Sequence, residues 1–482
     1  MRVTTMDRRA FLARTAAAAG GTVAGSEALM RLANRSALAD FSAAARGYGP
    51  VKPKPDQHGR LVLALPAGFT YVTFGDIGSP MSDGRPTPLA LDGMAAFKGP
   101  RGTVRLIRNH EDRNVPPAGS IEAGAGAYDQ AAGGGTTTLD YDPKRRRLVR
   151  SFVSLEGTTV NCAGGHGLHR RSWLTGEETV AGPANGFEKP HGYLFEVPVD
   201  RGRGDAPHSR PLKAMGRFSH EAAATDHRNG VVYETEDPGS GLGAGFYRFL
   251  PKNPRRLAAG GKLQILGIRG KRQYDARENQ EPGRSLPVRW IDIPDPDPEY
   301  VDVKDPRGTF AQGWERGAAK FNRLEGCWYA DGSVFFVSTS GGDAKSGDVN
   351  SDQYREGYGQ VWEYRIKKRR LILHYESPGG EVMDSPDNLT VTPRGGLMAC
   401  EDDASDTDGH DPNRIIGISP NGRAFTFAEC IFSASELAGV CFSPDGDTVF
   451  VNLYGDSTGT PADHAGEGMT CAITGPWRKG PL

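Results

Sequence analysis

The sequence offers no run of ~20 unbroken apolar residues, the length a helix needs to cross a bilayer. It also lacks a charge excess. Lys and Arg number 58 against 59 Asp and Glu, a formal net charge of -1, so a protein that coats nucleic acid or an anionic membrane is excluded. Cysteine is sparse, six residues with no CxxC pair, which argues against a small-domain disulfide framework or a zinc ribbon. Most of these thiols are expected to be buried and unpaired, Cys162 being the exception. No HxH or HExxH pattern occurs, and no glycine-rich tract ends in the Lys-Ser/Thr of a P-loop. What the chain does have is 65 Gly and 34 Pro, spread along its length. That distribution suits many short strands joined by turns.

The first residues read as an address. Asp7-Arg8-Arg9-Ala10-Phe11-Leu12 carries a twin arginine before an apolar pair. A weakly hydrophobic Ala/Gly run follows, and Ala37-Leu38-Ala39 offers a small-x-small cleavage site. Residues 1–39 are therefore expected to be a twin-arginine export signal, with the twin-arginine translocase as a partner and a periplasmic or extracellular destination.

Six segments repeat one plan: a polar residue, a short apolar strand, a glycine turn, a second apolar strand, then acidic or polar residues. They run from Leu91 to Asp112, Asn161 to Thr179, Ser219 to Asp237, Arg323 to Asp343, Ser385 to Asp403 and Glu436 to Asp456. One such unit cannot bury both faces of its small sheet, so the copies must stack. The pattern predicts an all-β fold, a six-bladed β-propeller over residues 40–482. The Pro- and charge-rich stretch around 251–320 is predicted to be a surface insertion.

In a propeller, equivalent positions of successive blades form rings about the axis. One column, before the inner strand, reads Asp92, Cys162, Glu221, Glu325 and Asn388, with Glu436 displaced by a few residues. A second, closing the next strand, reads Glu111-Asp112, Glu177-Glu178, Glu236-Asp237, a polar Ser-Thr-Ser and Glu401-Asp402. Carboxylates aimed at one centre repel each other unless they take up protons or cations. Hard oxygens in that number suit Ca2+, whereas one thiolate among carboxylates suits iron or zinc. Arg323 lies two residues before Glu325, so both side chains share one face of an extended strand. Its guanidinium offers a fork to a phosphate oxygen or an ion pair to the acids.

Asn161-Cys162-Ala163-Gly164-Gly165, Ser172-Trp173-Leu174-Thr175, Ser219-His220-Glu221-Ala222, Arg323-Leu324-Glu325-Gly326, Asp387-Asn388-Leu389 and Ala472-Ile473-Thr474-Gly475-Pro476-Trp477 together resemble the PhoX-type alkaline phosphatases, over roughly residues 60 to 478. The resemblance implies an exported metal-dependent hydrolase of phosphate monoesters, with a cofactor of ferric iron (Fe3+), calcium (Ca2+) and a bridging oxo group. It implies Cys162, Glu221 and Glu325 as iron ligands, with Asp92 beside them in the first ring. Glu111, Glu177, Glu236, Asp237 and Glu401 are similar to the calcium-site acids, and Arg323 and Asn388 to the phosphate-holding pair. A calcium-dependent propeller lactonase or phosphotriesterase, or a non-catalytic calcium-stapled propeller, are the other readings the residues allow.

Overall fold

Short strands, most of them buried on both faces and joined by glycine turns, make antiparallel hairpins along this chain. Leu324–Ala330 pairs with Ser333–Ser338 across Asp331-Gly332, both at positive φ (47° and 82°), the backbone that a tight hairpin turn requires. The computed structural model describes residues 47–202, 209–300, 303–343, 354–402 and 412–482. The expected export signal, residues 1–39, lies outside the described residues.

The described strands form five hydrogen-bonded sheets in which neighbouring strands are antiparallel where their register is given. One holds Leu91–Lys98, Val104–His110, Gly134–Asp142 and Arg147–Thr158; a three-stranded one holds Asn161–His166, Ser172–Glu177 and Leu194–Pro198. Pro386–Val391 begins a six-stranded sheet whose far edge is Lys52–Pro55. Leu437–Phe442, Thr448–Leu453 and Met469–Thr474 are completed by Thr70–Phe74, so the start of the described chain pairs with its end (Phe74 opposite Thr470).

The fifth sheet corrects the expectation of six separate blades. It has nine strands, from His220–Thr225 at one edge to Leu324–Ala330 at the other. Strand Ser285–Asp292, within the stretch expected to be an insertion, pairs with Gly261–Ile268 on one side and Arg370–Glu376 on the other. Its eight residues are long enough to cover two outer edges at once, which removes two rows of unpaired backbone groups. The fold is all-β and propeller-like, with four smaller sheets and one fused sheet.

Six inner strands nevertheless follow one another around a ring: Leu91–Lys98, Asn161–His166, His220–Thr225, Leu324–Ala330, Pro386–Val391 and Leu437–Phe442, the last lying against the first. Small residues let these backbones touch. A Cβ at Gly93 would lie 2.6 Å from the Cys162 carbonyl, and one at Gly165 only 1.6 Å from the Ala223 carbonyl. Gly165→Ala must therefore push two inner strands apart. It is expected to cost about 1–3 kcal/mol in a denaturant titration; an unchanged midpoint would contradict the close packing of the ring.

Candidate metal centre

Each inner strand loses register with its hairpin partner once, at the same place. The shifts fall between Leu91 and Met94, Asn161 and Gly164, His220 and Ala223, Leu324 and Cys327, Pro386 and Leu389, and Ala438 and Cys441. A β-bulge inserts an extra residue and re-aims its side chain. The first bulged residues are Asp92, Cys162, Glu221, Glu325, Asp387 and Gly439. In four copies the residue two earlier is non-glycine with positive φ: Ala90 (51°), Val160 (47°), Arg323 (42°) and Ser385 (42°). Each such residue stores about 1–2 kcal/mol of backbone strain.

One backbone hydrogen bond recurs beside the bulge in all six copies. The N–H groups of Glu111, Glu178, Asp237, Thr339, Asp402 and Tyr454 donate to the carbonyls of Ala90, Val160, Ser219, Arg323, Ser385 and Glu436, at 2.8–3.1 Å. These six donors form a second ring next to the bulged one.

The two rings converge. Asp92, Glu111 and Cys162 bring ligand atoms within 4.8 Å of one another; so do Cys162, Glu178 and Glu221, then Glu221, Glu325 and Asp387, and then Asp92, Asp387 and Glu436. Both carboxylate oxygens of Asp92 and both of Glu221 are buried without any hydrogen-bond partner. Burial first, then repulsion from neighbouring acids, pushes Asp92, Glu221, Glu325 and Glu436 well above the usual carboxylate range. Burial also raises Glu178, with Arg113 offsetting part of the shift, and lifts Asp387 to about 8. The Cys162 thiol is raised by burial and by Asp92 and Glu221. Orphaned oxygens of this kind cost several kcal/mol each unless a cation takes them, and a buried group of carboxylates with one thiol is a donor set that fits cations.

Fixed dipoles and charges frame the group. The Asn109 amide donates to the Cys162 and Ala163 carbonyls (2.8 and 2.9 Å) and accepts from the Trp173 indole (2.8 Å), which pins the Cys162 bulge. Arg323 bonds Asp237 at 2.9 Å and Glu325 at 3.1 Å. Arg113 bonds Glu111 and, at 2.7 Å, Glu178.

Of the residues singled out from the sequence, Asp92, Cys162, Glu221, Glu325, Glu111 and Asp237 stand in these two rings, with Arg323 at their edge. Glu177, Glu236 and Glu401 do not. Glu177 takes His191 Nδ1 at 2.6 Å and the Gly192 N–H at 2.9 Å. Glu236 accepts from the Gly245 N–H and the Tyr247 hydroxyl (2.9 and 2.7 Å). Glu401 forms a fork with Arg414, two contacts of 2.7 Å. The reason is parity: successive strand residues face opposite ways, and the axial member of each pair is Glu178, Asp237 and Asp402.

Asn388 also differs from its expected place. It is the second bulged residue of its strand, donating to Asp387 at 2.9 Å and accepting from the Gly439 N–H, so Asp387 is the axial member. Arg113 and Tyr454, whose hydroxyl bonds Glu111, carried no sequence signal beyond their closeness to the repeat ends. Gly455-Asp456-Ser457-Thr458-Gly459 has the letters of a nucleophile elbow, but it lies in a loop after strand Thr448–Leu453 with no helix behind it.

Residues 46–456 match the profile of the family described as alkaline phosphatase PhoX. Among solved structures, Pseudomonas fluorescens PhoX in complex with vanadate aligns with a TM-score of 0.63 at 19% identity, covering 88% of this chain and 97% of that one. A Dyadobacter fermentans protein of unknown function aligns at 0.44 and 8% identity (85% and 100% covered), and a luciferin-regenerating enzyme at 0.42 and 10% (85% and 96%). A search of curated sequences finds no match.

Parity gives a direct test. Glu178→Gln is expected to lower bound metal in elemental analysis, while Glu177→Gln lowers the melting temperature and leaves the metal count intact; the reverse pattern would contradict the ring assignment. Glu177 also sets a pH dependence. Burial disfavours charge on His191, but Glu177 and Asp129 outweigh it and lift its pKa to about 9. The stabilisation is complete below the ordinary histidine value of 6.5 and is lost as pH rises through 9. Stability of roughly 3 kcal/mol should fade over that window, and His191→Gln should flatten it; a His191→Gln profile that falls as steeply as wild type would contradict the charged histidine.

Proposed function

The chain belongs to the alkaline phosphatase PhoX family, and from that premise we propose that it hydrolyses phosphate monoesters over iron and calcium ions seated among the axial acids. The observation that carries this reading is the pair of carboxylates, Asp92 and Glu221, whose four oxygens are buried without a hydrogen-bond donor. Cys162, Asp92, Glu221, Glu325 and Asp387 would hold the softer ion or ions. Glu111, Glu178, Asp237, Asp402 and Glu436 would supply hard oxygens to calcium. When bound, such ions supply the positive charge that stabilises the oxygens of an in-line phosphoryl displacement.

The chain's own residues orient the substrate. Arg323 is held by Asp237 and Glu325, and 29% of its side chain remains exposed. From there its fork neutralises phosphoryl oxygens as charge builds on them. Asn388 serves the site by fixing Asp387 and locking it to the next inner strand. Asn109 does the same for Cys162.

The same reading takes residues 1–39 as a twin-arginine signal, so that residues 40–482 reach the periplasm or the exterior as one folded domain, in which the 251–320 stretch supplies two strands of the nine-stranded sheet. Folded export lets the cluster be loaded before the protein leaves the cytoplasm.

Cys162→Ala is expected to abolish hydrolysis of a chromogenic phosphate ester and to lower bound iron while circular dichroism stays unchanged. Glu325→Gln should behave alike, and Glu188→Gln, on an exposed loop, should be silent. Full activity in Cys162→Ala, or calcium without iron in the active wild type, would contradict the proposal.

A further inference from the structure

Arg113 follows Glu111 by two residues, on the loop that leaves strand Val104–His110. Only its Nη2 is engaged, by Glu111 and by Glu178. Its Nε and Nη1 make no hydrogen bond among the described residues. Its side chain is 47% exposed, against 29% for Arg323. The backbone that carries it is braced independently of those acids. The Arg113 N–H donates to the Ser457 carbonyl (2.9 Å), and Asn114 exchanges hydrogen bonds with Gly459 (2.9 and 3.2 Å).

A guanidinium carries five N–H donors in a planar fork and remains charged in any protein environment. Both acids that hold Arg113 belong to the converging group, so cations seated there neutralise the same carboxylates. The guanidinium then keeps an uncompensated charge and an open Nη1 edge beside the acids. Arg323 reaches the group from the Asp237–Glu325 side and Arg113 from the Glu111–Glu178 side, which places two cationic forks over one cluster.

We propose that Arg113 is a second guanidinium for the phosphoryl group, taking one non-bridging oxygen through its Nη1 edge while Arg323 takes another. This rests on the phosphatase reading above. Arg113 acts on substrate rather than on metal, and that distinction is measurable.

The test uses the metal-loaded mature protein carrying Arg113→Met or Arg113→Lys. Hydrolysis of p-nitrophenyl phosphate, inhibition by inorganic phosphate, bound metal and thermal midpoint are measured together. Arg113→Met is expected to raise KM and weaken phosphate inhibition by roughly 10–100-fold, the worth of a hydrogen bond to a charged group. Arg113→Lys should recover part of that loss through its charge, with metal content and midpoint unchanged in both. Unchanged phosphate inhibition in Arg113→Met, in the presence of an active wild type, overturns the proposal. Loss of metal in that variant also overturns it, because Arg113 then serves only to hold Glu111 and Glu178. A metal-loaded wild type that neither hydrolyses the ester nor is bound by phosphate overturns the phosphatase reading, and the proposal with it.

Discussion

Mutual repulsion among buried acids is the constraint on which the rest of this structure depends. Asp92, Glu111, Cys162, Glu178, Glu221, Glu325, Asp387 and Glu436 converge where water does not reach most of them. Arg113 and Arg323 offset only part of that charge. A fold that gathers such groups must either protonate them or hold cations among them. The oxygens of Asp92 and Glu221 that lack any donor weigh towards cations, since a protonated carboxyl still needs a partner for its proton.

The repeated backbone device explains how a sheet fold achieves this convergence. A regular strand would alternate its side chains between the two faces of its sheet and aim none along the axis. The bulge breaks that alternation in every copy, and in four of the six a left-handed residue two positions earlier turns the chain into it. The hydrogen bond from the second-ring N–H then locks the bulge to its hairpin partner. Small residues such as Gly93 and Gly165 bring neighbouring inner strands close enough for acids of different sheets to share one centre. Local strain is thus retained where the site is, and offset by packing elsewhere.

Much of this was legible in the sequence because repetition exposes it. Six copies of strand, glycine turn and strand gave the all-β ring of inner strands, and the column Asp92, Cys162, Glu221, Glu325 gave four axial residues. What failed was parity and register. Counting back seven residues from the turn glycine puts Asn388 in the column, as it does Glu325 and Gly439, but in that copy the first bulged residue precedes Gly395 by eight, so Asp387 is the axial acid. In the pairs Glu177-Glu178 and Glu401-Asp402 the letters do not say which member faces inward; the strand pairing does, and it is a long-range fact. Strand Ser285–Asp292 was missed for a similar reason: its proline and charges read as a loop, yet it pairs at both edges with strands distant in sequence.

The most direct test is an anomalous-diffraction map of the protein purified through its native export route. The account predicts metal peaks within about 2.0–2.6 Å of the Cys162 sulfur and of oxygens from Asp92, Glu221 and Glu325. An axis that holds only water, with those acids protonated and hydrogen-bonded to one another, would contradict it.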